Sequence, residues 1–283
     1  MAKILVSVPV LGRPHLRMMQ SLYSAINSCQ EHDITIHSSE NDSMVSRVRN
    51  VHISEFIHNY PDYDYFVSID SDLEIVNKFS SNNIFTKLVS HNAKFVGGLY
   101  ALKTEKEVIC SSVPMDRNRK PEFNSGLKQM LWLSSGCWCL HRSAIEKMIE
   151  SYPDLTYDGD DNMSGKKVYG LYIPMLKTIH QKDKKIKKYL SEDWSFVQRW
   201  RDIGGQVFAD TSIVLNHYGE KPYKLWNVET VVRRKDQEPR KDQEPRKDQE
   251  PRKDQEPRKD QEQVVNEPPQ TKIKKLPTPG FDL

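Results

Sequence analysis

The first 80 residues alternate between two apolar periods. KILVSVPV (3–10) is a run of β-formers stopped by Leu-Gly-Arg-Pro, which predicts a buried strand. Leu16, Met19, Leu22, Tyr23 and Ile26 then recur at helical spacing. DITIHSSE (33–40) predicts a second strand. MVSRVRNVHISEFIHNY (44–60) predicts a second helix, with Val45, Val48, Ile53, Phe56 and Ile57 along one side. YFVSI (65–69) predicts a third strand. Strand, helix, strand, helix, strand is the pattern of a parallel sheet with crossovers.

Beyond it, NIFTKLVSH (83–91) reads as a helix and KFVGGLYAL (94–102) as a strand. Residues 103–123 are polar around a short apolar patch. MLWLSSGCWCLHR (130–142) reads as strand, glycine turn and strand. RSAIEKMIESY (142–152) predicts a short helix, with Ser143 as N-cap and Glu146 completing a capping box. Residues 154–167 are expected to be a mobile loop, either a lid or ordinary surface. SEDWSFVQRWRDIGG (191–205) predicts a helix closed by Gly204-Gly205, and QVFADTSIVLNHYG (206–219) a strand and turn. The implied fold class is α/β: one domain over 1–232, a mostly parallel central sheet flanked by helices. From Arg234 the hexapeptide RKDQEP repeats. Each full copy is charge-neutral with no apolar side chain, so 233–283 is expected to be a low-complexity, disordered tail, with a tether as the alternative.

Composition changes this picture little. Of 283 residues, 37% are hydrophobic, and the shortfall sits in the repeat tail. Net charge is +3; the segment from Arg233 carries 14 basic and 12 acidic residues, which leaves the body at about +1. That argues against nucleic-acid binding by bulk charge. Cys29, Cys110, Cys137 and Cys139 form no paired CxxC motifs and are expected as free thiols. The N-terminal apolar run is too short for a signal peptide, and no later stretch approaches a membrane span. A soluble, cytoplasmic protein is expected.

The chemistry gathers at a few places. In YFVSIDSDLEI (65–75), Asp70 and Asp72 follow a core strand two residues apart, which on a strand puts both carboxylates on one face. Such carboxylates repel unless a proton or cation lies between them. Mg²⁺ or Mn²⁺ is the natural partner, sharing its coordination with phosphates. Beyond the carboxyl ends of parallel strands is also where ligands collect. Asn216 and His217, near a glycine turn, are further metal-ligand candidates. Glu192 and Asp193 open a helix, where the dipole favours carboxylates. Gly136 marks a turn where backbone can approach a ligand. Five lysines in 182–188 suggest either a solvated face or an electropositive rim. Trp138 and Trp194 adjoin these segments and are sugar-platform candidates.

In this order, VPVLGRP, SRVRN, DSD, SSGCW, SEDWSF…RWRDIGG and NHYG resemble the GT-A (Rossmann-like) glycosyltransferases, nucleotide-sugar-dependent enzymes of the inverting type. The likeness covers roughly 3–219, and the short form with its repeat resembles the enzymes of large algal DNA viruses, the chloroviruses. The resemblance implies that Asp72 binds Mn²⁺ or Mg²⁺ directly while Asp70 contacts ribose or metal-bound water, and that His217 is a further ligand. It implies that Pro9, Val10, Gly12, Arg13, Ser39 and Glu40 surround the nucleoside, and that Arg49, Asn50, Asp70, Ser71 and Gly136 also face the donor. Asp193 is then the catalytic base, with Glu192 bracing the site or binding the acceptor. The donor implied is a UDP-sugar, with xylose and glucose as the candidate sugars, and the acceptor a glycan or glycoprotein. Two other classes stay open on the residues: a nucleotidyltransferase, which should show more than the one glycine of VPVLGRP, and a non-catalytic sugar- or nucleotide-binding protein.

Overall fold

The computed structural model describes residues 1–39, 42–76, 82–104, 110, 112–116, 126–181 and 184–224. Glu40 and the repeat tail lie outside these residues. Along the chain, β1 (Lys3–Pro9) leads to α1 (Leu16–Asn27), β2 (Asp33–Ser39), α2 (Val45–Asn59) and β3 (Tyr65–Ile69). A short β4 (Leu73–Val76) precedes α3 (Ile84–Ser90) and β5 (Phe95–Tyr100). Next come β6 (Val113–Pro114), β7 (Leu127–Trp132), β8 (Cys137–His141) and α4 (Arg142–Ser151). Two hairpins follow, β9 (Thr156–Asp158) with β10 (Lys167–Tyr169) and β11 (Met175–Gln181) with β12 (Lys184–Leu190). The described chain closes with α5 (Glu192–Asp202), β13 (Phe208–Tyr218) and β14 (Pro222–Tyr223).

The middle of the sheet runs β2-β1-β3-β8-β5-β13. β2 and β3 run parallel to β1, β13 runs parallel to β5, and β8 opposes both of its neighbours. The expected mostly parallel α/β sheet is therefore present in these six strands, with β8 reversed among them, while β7, β4 and β14 run antiparallel to β13. β7 and β6 extend it beyond β13, and β4 and β14 also pair with β13.

Alternation along the strands sorts the core into two layers. Ile4, Val6 and Val8 of β1 pack with Met18 and Leu22 of α1 and Phe85 and Leu88 of α3. Leu5 of β1, Phe66 of β3 and Trp138 of β8 face the other way, onto Ile53 and Phe56 of α2, Ile145 of α4 and Phe196 of α5. The same parity puts Cys137 and Cys139 on the α1 face, buried as free thiols. Burial pushes the Cys137 thiol up to about 12, which suits an inert side chain.

Four local expectations need correction. Leu16, Met19 and Tyr23 of α1 are exposed; the buried stripe is Met18 and Leu22, with Ala25 and Ile26 packed beside it. α4 is capped by His141, whose Nδ1 accepts from the Ser143 amide, while Glu146 faces Arg142 at 3.7 Å. The segment 154–167 is a folded hairpin rather than a loose loop. It is docked on α2 by His58 against the Lys167 carbonyl and the Tyr169 amide against Ser54 Oγ. The lysine-rich stretch is a strand, β12, not only a charged surface. By contrast α5 ends as expected, with Gly204 at φ 85°.

Asp210 of β13 is the most deeply buried carboxylate in the sheet. Burial works to raise its pKa, but the Ser212 hydroxyl and amide, His91 and Lys87 outweigh it and hold the carboxyl below 3.8. Oδ1 accepts from Ser212 N–H at 2.8 Å and Oγ at 2.6 Å, and Oδ2 lies 2.8 Å from His91 Nε2. A depressed folded value means stability that is full above 3.8 and lost as pH falls through the folded value. Urea midpoints of wild type and Asp210→Asn should therefore differ more at pH 7 than at pH 3. Equal differences at both pH values would disprove the linkage.

Candidate active site

The site lies where β1 and β3 end and β13 passes beside them. β3 stops at Ile69, and Asp70-Ser71-Asp72 is a turn closed by Leu73 N–H on the Asp70 carbonyl at 3.1 Å. The two aspartates are thus not on one strand face, as their spacing suggests. The turn sends Asp70 toward α2 and Asp72 toward β13.

Asp70 Oδ1 accepts from Arg49 NH2 at 2.7 Å, and Arg49 NH1 donates to Glu192 Oε1 at 2.7 Å. One buried guanidinium of α2 therefore ties the end of β3 to the start of α5. Burial opposes its charge, yet Asp70, Tyr172 and Glu192 hold its pKa above the ordinary arginine value.

Asp72 points to a different cation. Its Oδ2 lies 2.5 Å from Lys103 Nζ, and its Oδ1 lies 3.5 Å from His217 Nε2. Burial pushes this carboxyl up, but His217 and Lys103 pull harder and hold it below its usual range. His217 Nδ1 sits 2.8 Å from the Ala101 carbonyl, which can only accept, so Nδ1 carries the proton. In the neutral ring Nε2 then presents its lone pair toward Asp72. A carboxylate and an imidazole lone pair meeting in this way fit a divalent cation, and the backbone bond at Nδ1 is the usual means of aiming such a ring. Asn216, the neighbouring candidate, instead donates to Glu74 at 2.5 Å.

An open cleft of about 190 Å³ lies over these groups. Pro9, Val10 and Leu11 form one wall, Asp42, Ser43, Val45, Val48 and Arg49 another, and Asp70, Ser71, Asp72 and His217 the floor. Seven of the expected residues thus share one cleft. Leu11, Asp42, Ser43, Val45 and Val48 were missed. Val45 and Val48 carried a helix signal that reads as core, and nothing in their spacing distinguishes a wall from a core.

Other expected residues stand elsewhere. Gly12 and Arg13 are exposed on the loop after β1. Ser39 bonds His52 Nε2 at 2.6 Å. Asn50 is buried and accepts the Tyr172 amide at 2.8 Å. Gly136 answers a packing demand rather than a ligand: a Cβ there would meet Leu73 at 2.5 Å and the Tyr100 ring at 2.7 Å. Glu192 and Asp193 do not line the cleft. Glu192 is held by Arg49 and Asp193 follows it at the start of α5, close enough that Asp70 and Asp193 both act on the buried Tyr100 and Tyr172 phenols. Asp193 Oδ1 accepts from the Ser191 hydroxyl and from the Trp194 amide, and Oδ2 has no hydrogen bond among the described residues.

The aromatic expectation divides. Trp138 is wholly buried against Phe95, Tyr172 and Phe196, so it offers no sugar platform. Trp194 stacks on Trp132 at 4.5 Å, and Lys188 Nζ lies 4.8 Å from its ring centre. Lys185, Lys187 and Lys188 do not line the cleft.

Among the described residues no helix is long and apolar enough to cross a membrane. No family model and no curated protein matches the chain. The solved structures it is similar to include A197 from STIV, 17% identical over 80% of this chain and 91% of that one, TM-score 0.49. A nucleoside-diphosphate-sugar pyrophosphorylase from Vibrio cholerae RC9 is 8% identical over 72% and 90%, TM-score 0.36. A glycosyltransferase involved in the glycosylation of the major capsid of PBCV-1 is 12% identical over 53% of this chain and 67% of that one, TM-score 0.29.

Proposed function

We propose that this chain is a divalent-metal-dependent GT-A glycosyltransferase. It moves a sugar, xylose or glucose, from a UDP-sugar to a hydroxyl of a glycan on a glycoprotein, with inversion. The observation that carries the reading is the convergence of Asp72 and the His217 Nε2 lone pair on the floor of an open cleft. Asp72, His217 and Asp70 would hold Mn²⁺ or Mg²⁺. That ion, when bound, offsets charge gathering on the departing diphosphate.

The chain's own groups do the rest. The Pro9–Leu11 loop bounds the nucleoside. Arg49 fixes Asp70 and Glu192 and brings the start of α5 beside the cleft. Asp193 is the base: its Oδ1 is pinned, and its Oδ2 takes the proton from the acceptor hydroxyl. The acceptor oxygen bonds to the anomeric carbon from the face opposite the breaking bond to phosphate, and the nucleoside diphosphate departs. Glu192 is committed to Arg49, which favours Asp193 over it for this task.

Calorimetric titration of UDP, then GDP, with Mn²⁺ and with EDTA, tests the reading. We expect UDP to bind only with metal, and Asp72→Ala to lose that binding. Metal-independent binding would remove Asp72 from the mechanism, and binding of neither nucleotide would end the reading.

A further inference from the structure

Behind the cleft wall lies a polar cluster that the proposed reaction does not use. His37 and Ser39 are two apart on β2 and share a face. Ser7 of β1 is in register with His37, on the side that α2 covers. From α2, His52 and Glu55 are three apart and face the same way.

These side chains meet. Ser7 Oγ lies 2.7 Å from His52 Nδ1, and Ser39 Oγ lies 2.6 Å from His52 Nε2. The His37 and His52 rings are 4.8 Å apart at 78°. His37 Nε2 lies 2.6 Å from Glu55 Oε2. That contact is off the ring's donor direction, because Nε2 is buried and has no hydrogen-bond partner. One ligand atom from each of His37, His52 and Glu55 falls within 4.8 Å of the others.

We infer that His37, His52 and Glu55 form a zinc site that clips the edge strand β2 to α2. Two imidazoles and a carboxylate are a zinc donor set, whereas Mg²⁺ prefers oxygen alone. A cation seated between the His37 ring nitrogen and the Glu55 carboxylate would take the place of their direct 2.6 Å ion pair. Each His52 nitrogen now meets a serine hydroxyl; when one nitrogen takes the ion its serine gives way, and the other serine supplies the outer hydrogen bond that orients the ring. The site also reaches the cleft indirectly, since the Ser39 carbonyl accepts from the amide of Val10 at 3.2 Å, and Val10 lines the cleft. The inference does not rest on the glycosyltransferase reading.

The test is titration of the metal-free full chain with Zn²⁺ against a chromophoric zinc indicator, repeated in Asp72→Ala to silence the cleft. One Zn²⁺ per chain should remain bound in Asp72→Ala. His37→Gln and Glu55→Gln should each weaken it by more than the ~100-fold at which loss of an outer-shell partner tops out. Added Zn²⁺ should raise the melting temperature of Asp72→Ala, and should not do so once His37→Gln or Glu55→Gln is combined with it. Both substituted residues are only partly buried, so the variants are expected to fold. Cobalt-loaded Asp72→Ala protein gives a second readout that needs no change to the cluster: an intense tetrahedral visible spectrum is expected, and a weak octahedral one overturns the inference. Loss of all Zn²⁺ binding in Asp72→Ala, or wild-type affinity in both cluster variants, overturns it too.

Discussion

Arg49→Met should lower the unfolding free energy by about 3 kcal/mol, read as a fall in the urea midpoint at pH 7. Methionine replaces the Arg49 stem out to the position of Nε and omits the guanidinium head, so the charge and its two hydrogen bonds to Asp70 and Glu192 disappear. Breaking a buried ion pair by removing one partner typically costs about 3–5 kcal/mol, because the remaining charge is stranded. Here two carboxylates lose their partner at once. The lower end of the range applies because Asp70 and Glu192 each keep part of their surface in water, 24% and 22%. Arg49→Met combined with Glu192→Gln should recover part of the loss, since one stranded charge is then gone. A single-variant cost under about 1 kcal/mol would mean that Arg49 holds nothing together.

Asp193→Asn should cut turnover by about 10²–10⁴-fold, the usual worth of a positioned general base. Asparagine keeps the size of the side chain and can still accept the Trp194 amide, so α5 should start where it does now. UDP affinity in the presence of Mn²⁺ should stay within about threefold of wild type, because Asp193 does not line the cleft. The paired measurements are UDP release from a UDP-sugar with acceptor, and calorimetric UDP binding. Turnover within tenfold of wild type would shift the base to another group. Equal loss of binding and turnover would instead make Asp193 a structural residue.

The order of strands and helices was legible because periodicity reports burial. YFVSI is buried at every position, and a run of that kind allows few other readings. The site was legible in part. Asp70, Asp72 and His217 stood out as charged or titratable groups at the ends of apolar runs, and these are the positions that meet on the cleft floor. What failed has a common cause. The helix pattern around Leu16 allowed more than one apolar stripe, and only the neighbouring sheet selects Met18 and Leu22. Ser143 had the right chemistry for a cap, but the strand delivers His141 first. The His37, His52 and Glu55 cluster carried no single-segment signal: its spacing is ordinary on each element, and only the register of β1 with β2 under α2 brings it together.

The eleven-residue β13 has a consequence for how the protein is made. It pairs with β5, β7, β4 and β14, and these partners come from 73–76 through to 222–223. It also carries His217. During synthesis the β1–β3 unit can form early from neighbouring segments. The far half of the sheet must wait for the ribosome to pass residue 218, with β4, β5 and β7 holding unpaired edges meanwhile. The nascent chain therefore gains its Asp72–His217 pair only when β13 is made, and a ribosome stalled before it would carry a half-built sheet whose open edges invite chaperones.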